Sequence, residues 1–111
     1  MIMMTDAFRE QCVQAIKEFD SSFREMDLPL ADHQYAYQLL EKVREDVSNP
    51  KLDGLAFCLA IRYFFDFFSR ELMPGGIVLS EKASKDWNVI RELANSTELL
   101  RTTNSAISFG F

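Results

Sequence analysis

The chain has 111 residues, of which 48% are hydrophobic and 26% are charged, a balance typical of one globular domain with its own core. Its net charge of −5 comes from residues 1–53, which hold eleven acidic and six basic side chains, whereas residues 54–111 hold six of each. A negative net charge opposes direct binding to nucleic acid, because affinity for nucleic acid depends on Lys and Arg side chains that neutralise phosphates.

Apolar residues recur at spacings of three and four through most of the chain, which predicts an all-α domain of about four helices. The first predicted helix covers residues 5–26, with Thr5 as its N-cap and one apolar face. The second covers residues 30–47. It ends before Pro50, because the residue that precedes a proline avoids helical backbone.

The third predicted helix covers residues 52–73 and carries five aromatic side chains within residues 62–68. Its first half is apolar on nearly every side, and its rings spread over an arc too wide for one neighbouring helix to cover. We therefore expect the other helices to pack around it, although four helices are few for so much apolar surface. A membrane span is not expected, because the apolar run is short and charged residues interrupt it.

The fourth predicted helix covers residues 81–101, with Ser80 as its N-cap and a weak point at Asn95 and Ser96. Residues 102–111 carry no charge and are predicted to form a short C-terminal tail. We expect one helical domain that spans residues 1–111.

The two cysteines, Cys12 and Cys58, lie on apolar helical faces, so buried thiols are expected rather than a disulfide. The first residues lack the basic start and the long apolar run of a secretory signal. Both observations favour a cytoplasmic protein.

Side chains suited to catalysis are few. The one histidine, His33, follows Asp32, and neighbouring side chains on a helix point about 100° apart, so the two are not expected to pair. The sequence contains neither a metal-ligand pattern nor a phosphate-binding loop, so no metal and no other cofactor are expected. We therefore expect a protein that is not an enzyme.

The acidic first half favours a protein-binding module that inhibits or neutralises a basic partner protein, because complementary charge speeds encounter and excludes wrong partners. Immunity proteins, antitoxins and phage-encoded inhibitors share this small size and this charge, which is an analogy of physical properties rather than of motif. Basic side chains in the same helices dilute the charge. The candidate partner-binding residues are Glu18, Glu25, Glu41, Glu45 and Asp46.

Two alternatives follow from the aromatic third helix. One is a sensor or carrier of a small molecule, since helical bundles place ligand sites between helices. Its pocket would be lined by Phe64, Phe65, Phe67, Phe68 and Trp87. The other is a structural homodimer that buries leftover apolar surface of this helix against a second copy, with Phe109 and Phe111 crossing to the partner.

Overall fold

The structure, a computed structural model, describes residues 5–101, and its secondary structure within them is entirely helical. This confirms the predicted all-α fold with four main helices. The predicted tail at residues 102–111, with Phe109 and Phe111, lies outside the described residues. The elements are α1 (Asp6–Glu25), a single 3-10 turn (Leu30–Asp32), α2 (Gln34–Ser48), α3 (Gly54–Glu71) and α4 (Glu81–Ala94).

Side-chain caps fix the starts of three helices. Thr5, Asp53 and Ser80 each accept a hydrogen bond from the backbone N–H three residues later, at the starts of α1, α3 and α4. Each cap satisfies one of the donors that a helix start leaves without a partner. The predicted N-caps Thr5 and Ser80 are confirmed.

The second helix begins later than predicted. Residues Leu30–Asp32 form the 3-10 turn, and His33 then leaves the helical region with φ −133° and ψ 34°. The α-helix therefore starts at Gln34 rather than at residue 30.

The fourth helix ends at Ala94, and helical backbone resumes at residue 97 after a turn at Asn95 and Ser96. Both the N–H and the hydroxyl of Ser96 donate to the Leu93 carbonyl, so residue 97 cannot use that acceptor to continue the helix. The same hydroxyl accepts a hydrogen bond from the Leu99 N–H and so caps the next helical segment. One predicted helix is therefore two.

Each helix packs against its neighbours in the sequence, and the contact between α1 and α4 is the most extensive in the described chain. Rings join α1 to α3 across the core: the centroids of Phe19 and Phe68 lie 5.3 Å apart. Trp87 of α4 contacts the same two rings, at 5.2 Å and 5.3 Å. Helix α3 thus touches all three other helices, as its aromatic content led us to expect.

One flank of α3 is polar. The Nε of Arg62 lies 3.4 Å from the Oδ2 of Asp66, and the guanidinium of Arg70 lies over the ring of Phe67, 4.9 Å from its centroid.

Within residues 5–101, no helix combines the length and the apolar character that crossing a membrane requires.

Candidate functional site

An apolar groove with a volume of about 780 Å³ runs between α2 and α3; we call it the α2–α3 groove. Leu39 and Val43 of α2 form part of its floor, together with Leu59, Ala60 and Phe64 of α3. Polar atoms contribute little to this lining. The groove is therefore a surface that would gain free energy from being covered.

Small side chains on α3 leave room for the groove. Ala56 and Ala60 both line it, and residues four apart lie on the same side of a helix. Each of these side chains ends at Cβ, so neither fills the space between the two helices. Both positions keep part of their surface exposed.

Two tyrosines stand at the sides of the groove with much of their surface in solvent. Tyr63 of α3 is 58% exposed and Tyr35 of α2 is 48% exposed. The ring of Tyr63 also contacts Phe67, with 6.5 Å between the centroids. Contiguous exposed aromatic and aliphatic surface of this kind marks interaction sites in proteins.

The charged groups at the rim of the groove cancel each other. Lys42 and Asp46, one turn apart on α2, both line the groove, and the Nζ of Lys42 lies 3.4 Å from the Oδ2 of Asp46. Asp46, a predicted partner-binding residue, therefore belongs to the groove, where it is paired within the chain.

An ionic network joins α1 to α2 and involves another predicted carboxylate. Arg24 of α1 donates to Asp20 Oδ1 at 2.8 Å and to Glu41 Oε1 at 3.0 Å, and Arg44 lies 3.6 Å from Asp20 Oδ2. The hydrogen bond to Asp20 is the largest cause of the raised pKa of the Arg24 guanidinium. Much of the charge of Glu41 is thus balanced within the chain.

The two predicted carboxylates of α1 lie on a different surface. Asp20 and Arg24 mark the side of α1 that faces α2. Glu18 precedes Asp20 by two residues and so points about 160° away from it, while Glu25 points about 140° away from it. Glu18 and Glu25 thus share a side of α1 remote from α2. Glu41 and Glu45 line a second groove of about 660 Å³, whose lining mixes polar and apolar residues.

The five predicted partner-binding residues therefore do not form one acidic face. They divide among the far side of α1, the outer side of α2 and the rim of the α2–α3 groove. Periodicity placed each residue on an exposed side of its helix, but the rotation of α1 relative to α2 decides which carboxylates become neighbours.

The five rings of the predicted ligand pocket divide between the core and the α2–α3 groove. Phe68 and Trp87 are buried, and Phe65 stacks on Trp87 with 5.3 Å between centroids and 16° between planes. Phe64 and Phe67 line the groove. Phe64 is nonetheless buried, so of the five rings only Phe65 and Phe67 keep part of their surface exposed.

Sequence reasoning missed the groove because Leu39 and Val43 follow the apolar spacing of α2, and that spacing does not distinguish a covered position from an uncovered one. The useful signal was the apolar surface of α3, which extends further round the helix than four helices are expected to cover. That surplus indicates an uncovered side without showing which side it is.

The two thiols are enclosed. Cys12 and Cys58 are both buried, and burial, followed by the nearby Cys58 and Glu98, raises the pKa of the Cys12 thiol to about 12. That thiol is therefore neutral near pH 7 and unreactive as a nucleophile. In the part of the chain that the structure describes, no three His, Cys, Asp or Glu side chains are grouped so as to hold a metal ion.

No protein-family model, curated protein or solved structure matches the chain. The structure defines the class of protein as an all-α domain of four main helices with an apolar groove between the second and the third.

Proposed function

We propose that this chain is a non-enzymatic protein-interaction domain, and that its α2–α3 groove docks the apolar face of a helix from another protein chain. The observation that carries the proposal is the exposed apolar groove, with Tyr63 at its side and more than half exposed. Covering this surface removes apolar area from water, which is the main driving force of association.

The shape of the groove favours a helix over a small molecule. Ligand pockets enclose most of the surface of their ligand, whereas here Tyr35 and Tyr63 stand at the sides with about half of their surface in solvent. A groove between two packed helices accepts the side-chain ridge of a third helix, as in other helix-in-groove complexes. Apolar side chains at i, i+3 and i+4 of the docked helix would occupy the floor.

The charge of the groove adds little preference for a basic partner. Lys42 and Asp46 at the rim offset each other, and the other acidic candidates lie outside the groove. The expectation of a basic partner stays a prediction for the surfaces that carry Glu18, Glu25, Glu41 and Glu45. The groove itself selects mainly by apolar contact.

A photo-cross-linking amino acid in place of Tyr63 tests the proposal. The full chain with benzoylphenylalanine at position 63 is irradiated in living cells beside a control that carries it at position 89. Val89 of α4 is 45% exposed and is the matched apolar surface site. We expect adducts with a protein from position 63 and none from position 89.

A second variant ties the adduct to the groove. Ala60→Phe fills the floor, and its fold is checked by circular dichroism and thermal unfolding; with the fold intact, the adduct from position 63 should disappear. The proposal is wrong if position 63 gives no protein adduct, gives the same adducts as position 89, or gives adducts that Ala60→Phe leaves unchanged. An adduct with a small molecule alone would instead indicate the carrier function.

A further inference from the structure

Resting on the proposed function, we infer that the helical surface docked in the α2–α3 groove is the same surface of a second copy, so that the groove is the interface of a two-fold symmetric homodimer. In such an interface the same patch of each copy contacts the other, and contact i to j recurs as j to i.

The distribution of charge favours a second copy at this surface. Each chain carries a net charge of −5, so two copies repel unless they meet where the local charge is balanced. The groove supplies such a surface, because Lys42 lies beside Asp46 at its rim. A strongly basic helix would gain nothing from a rim without net charge.

The Lys42–Asp46 pair is also complementary to itself. Consider a two-fold axis that lies in the plane of the interface and runs perpendicular to the long direction of the groove. This axis reverses the direction of α2 between the copies, so Lys42 of one copy comes to face Asp46 of the partner subunit. Each copy contributes one such pair, and the two cross-pairs are equivalent by symmetry. Opposite charges arranged in this way set the register of an interface and disfavour other registers.

The shape of the surface is complementary to itself as well. Tyr63 projects from α3 beside the recess that the small side chains Ala56 and Ala60 leave. In the two-fold arrangement the Tyr63 ring of each copy covers the alanine recess of the other. Aromatic side chains that fill such recesses are the usual anchors of protein interfaces.

The mass of the purified full chain, measured by sedimentation equilibrium over a wide range of concentrations, tests the inference. We expect the apparent mass to rise from 12.8 kDa towards twice that value. Tyr63→Ser should weaken the dimer about tenfold or more, whereas the matched surface change Val89→Ser should leave it unchanged.

A mixing experiment tests the two-fold pairing directly. Lys42→Asp gives a chain with two negative charges at the rim, and Asp46→Lys gives a chain with two positive charges, so each alone should form a weaker dimer than the unaltered chain. An equimolar mixture should form a heterodimer, because both cross-pairs are then opposite in charge. A purely structural role of the Lys42–Asp46 pair within one chain predicts no such recovery.

The results separate failure of this inference from failure of the proposed function. A chain that stays monomeric at every concentration, a dimer indifferent to Tyr63→Ser, or a mixture that shows no recovery overturns the homodimer. The proposed function then stands only if the cross-linker at position 63 captures a different protein through the groove. If position 63 captures no protein at all, both are wrong.

Discussion

The rings of Phe19 and Phe68 meet edge to face, with 5.3 Å between the centroids and 87° between the planes, and this pair joins α1 to α3 through the centre of the core. Edge-to-face pairs of this kind add stability beyond the area that they bury. Phe19 also contacts the rings of Phe23, Phe64 and Trp87. Phe19 is therefore central to the aromatic core.

Phe19→Ala should lower the free energy of unfolding by about 3–5 kcal/mol, because it leaves a cavity among the surrounding rings. Urea denaturation measures the change. The control is Val89→Ala, for which we expect a loss below about 1 kcal/mol, since that side chain is 45% exposed and lies outside the α2–α3 groove. Equal losses for the two variants would contradict the central position of Phe19.

Asp20→Asn should destabilise the fold by about 1–3 kcal/mol, since the Asp20 side chain is only 12% exposed and is the shared partner of Arg24 and Arg44. Glu41→Gln should cost less than about 0.5 kcal/mol, because that side chain is 60% exposed and its ion pair is screened by solvent. Thermal unfolding of both variants in the same buffer measures the difference. A larger loss for Glu41→Gln would reverse the assigned importance of the two acids.

Cys12 should contribute to a loss of stability at alkaline pH. Its thiol has a folded-state pKa of about 12 against an ordinary value of 9.0, so the folded protein retains a proton that the unfolded chain releases. This contribution is complete below about pH 9 and disappears as the pH rises towards about 12. Denaturation curves at several pH values should therefore decline less steeply for Cys12→Ala than for the unaltered chain. Parallel declines would show that this thiol titrates normally in the fold.

Asp53→Ala should cost about 1 kcal/mol, because it removes the N-cap of α3. The Oδ1 of Asp53 accepts a hydrogen bond from the Ala56 N–H at 2.7 Å. Asp53→Asn keeps an acceptor oxygen and should retain most of this stability. Urea denaturation of the two variants tests the cap, and equal losses would assign the effect to the charge of Asp53 instead.

The helices could be predicted from the sequence because their signals are local. Thr5 and Ser80 are recognisable caps, and the apolar spacing fixes the face that each helix buries. The errors lie at helix ends where local hydrogen bonds compete with the helix. Ser96 lies at the weak point that the sequence indicated, where its hydroxyl donates to the Leu93 carbonyl and divides the last predicted helix.

The α2–α3 groove could not be predicted because it depends on how two helices are placed. Leu39 and Ala60 are apolar residues on helices, and nothing local distinguishes a covered position from an uncovered one. The same holds for charge: Glu41 looks like a free surface acid in the sequence, yet Arg24 from a different helix reaches it. Sequence reasoning found the surplus of apolar surface on α3, but not its location.

The contact between α1 and α4 has a consequence for the order of folding during synthesis. Phe19 leaves the ribosome well before Trp87, so the apolar face of α1 lacks one of the helices that cover it until α4 has emerged. Domains fold as units, and this unit is incomplete until α4 has emerged. A chain that stops before residue 81 therefore lacks Trp87 and the rest of the helix that completes the core.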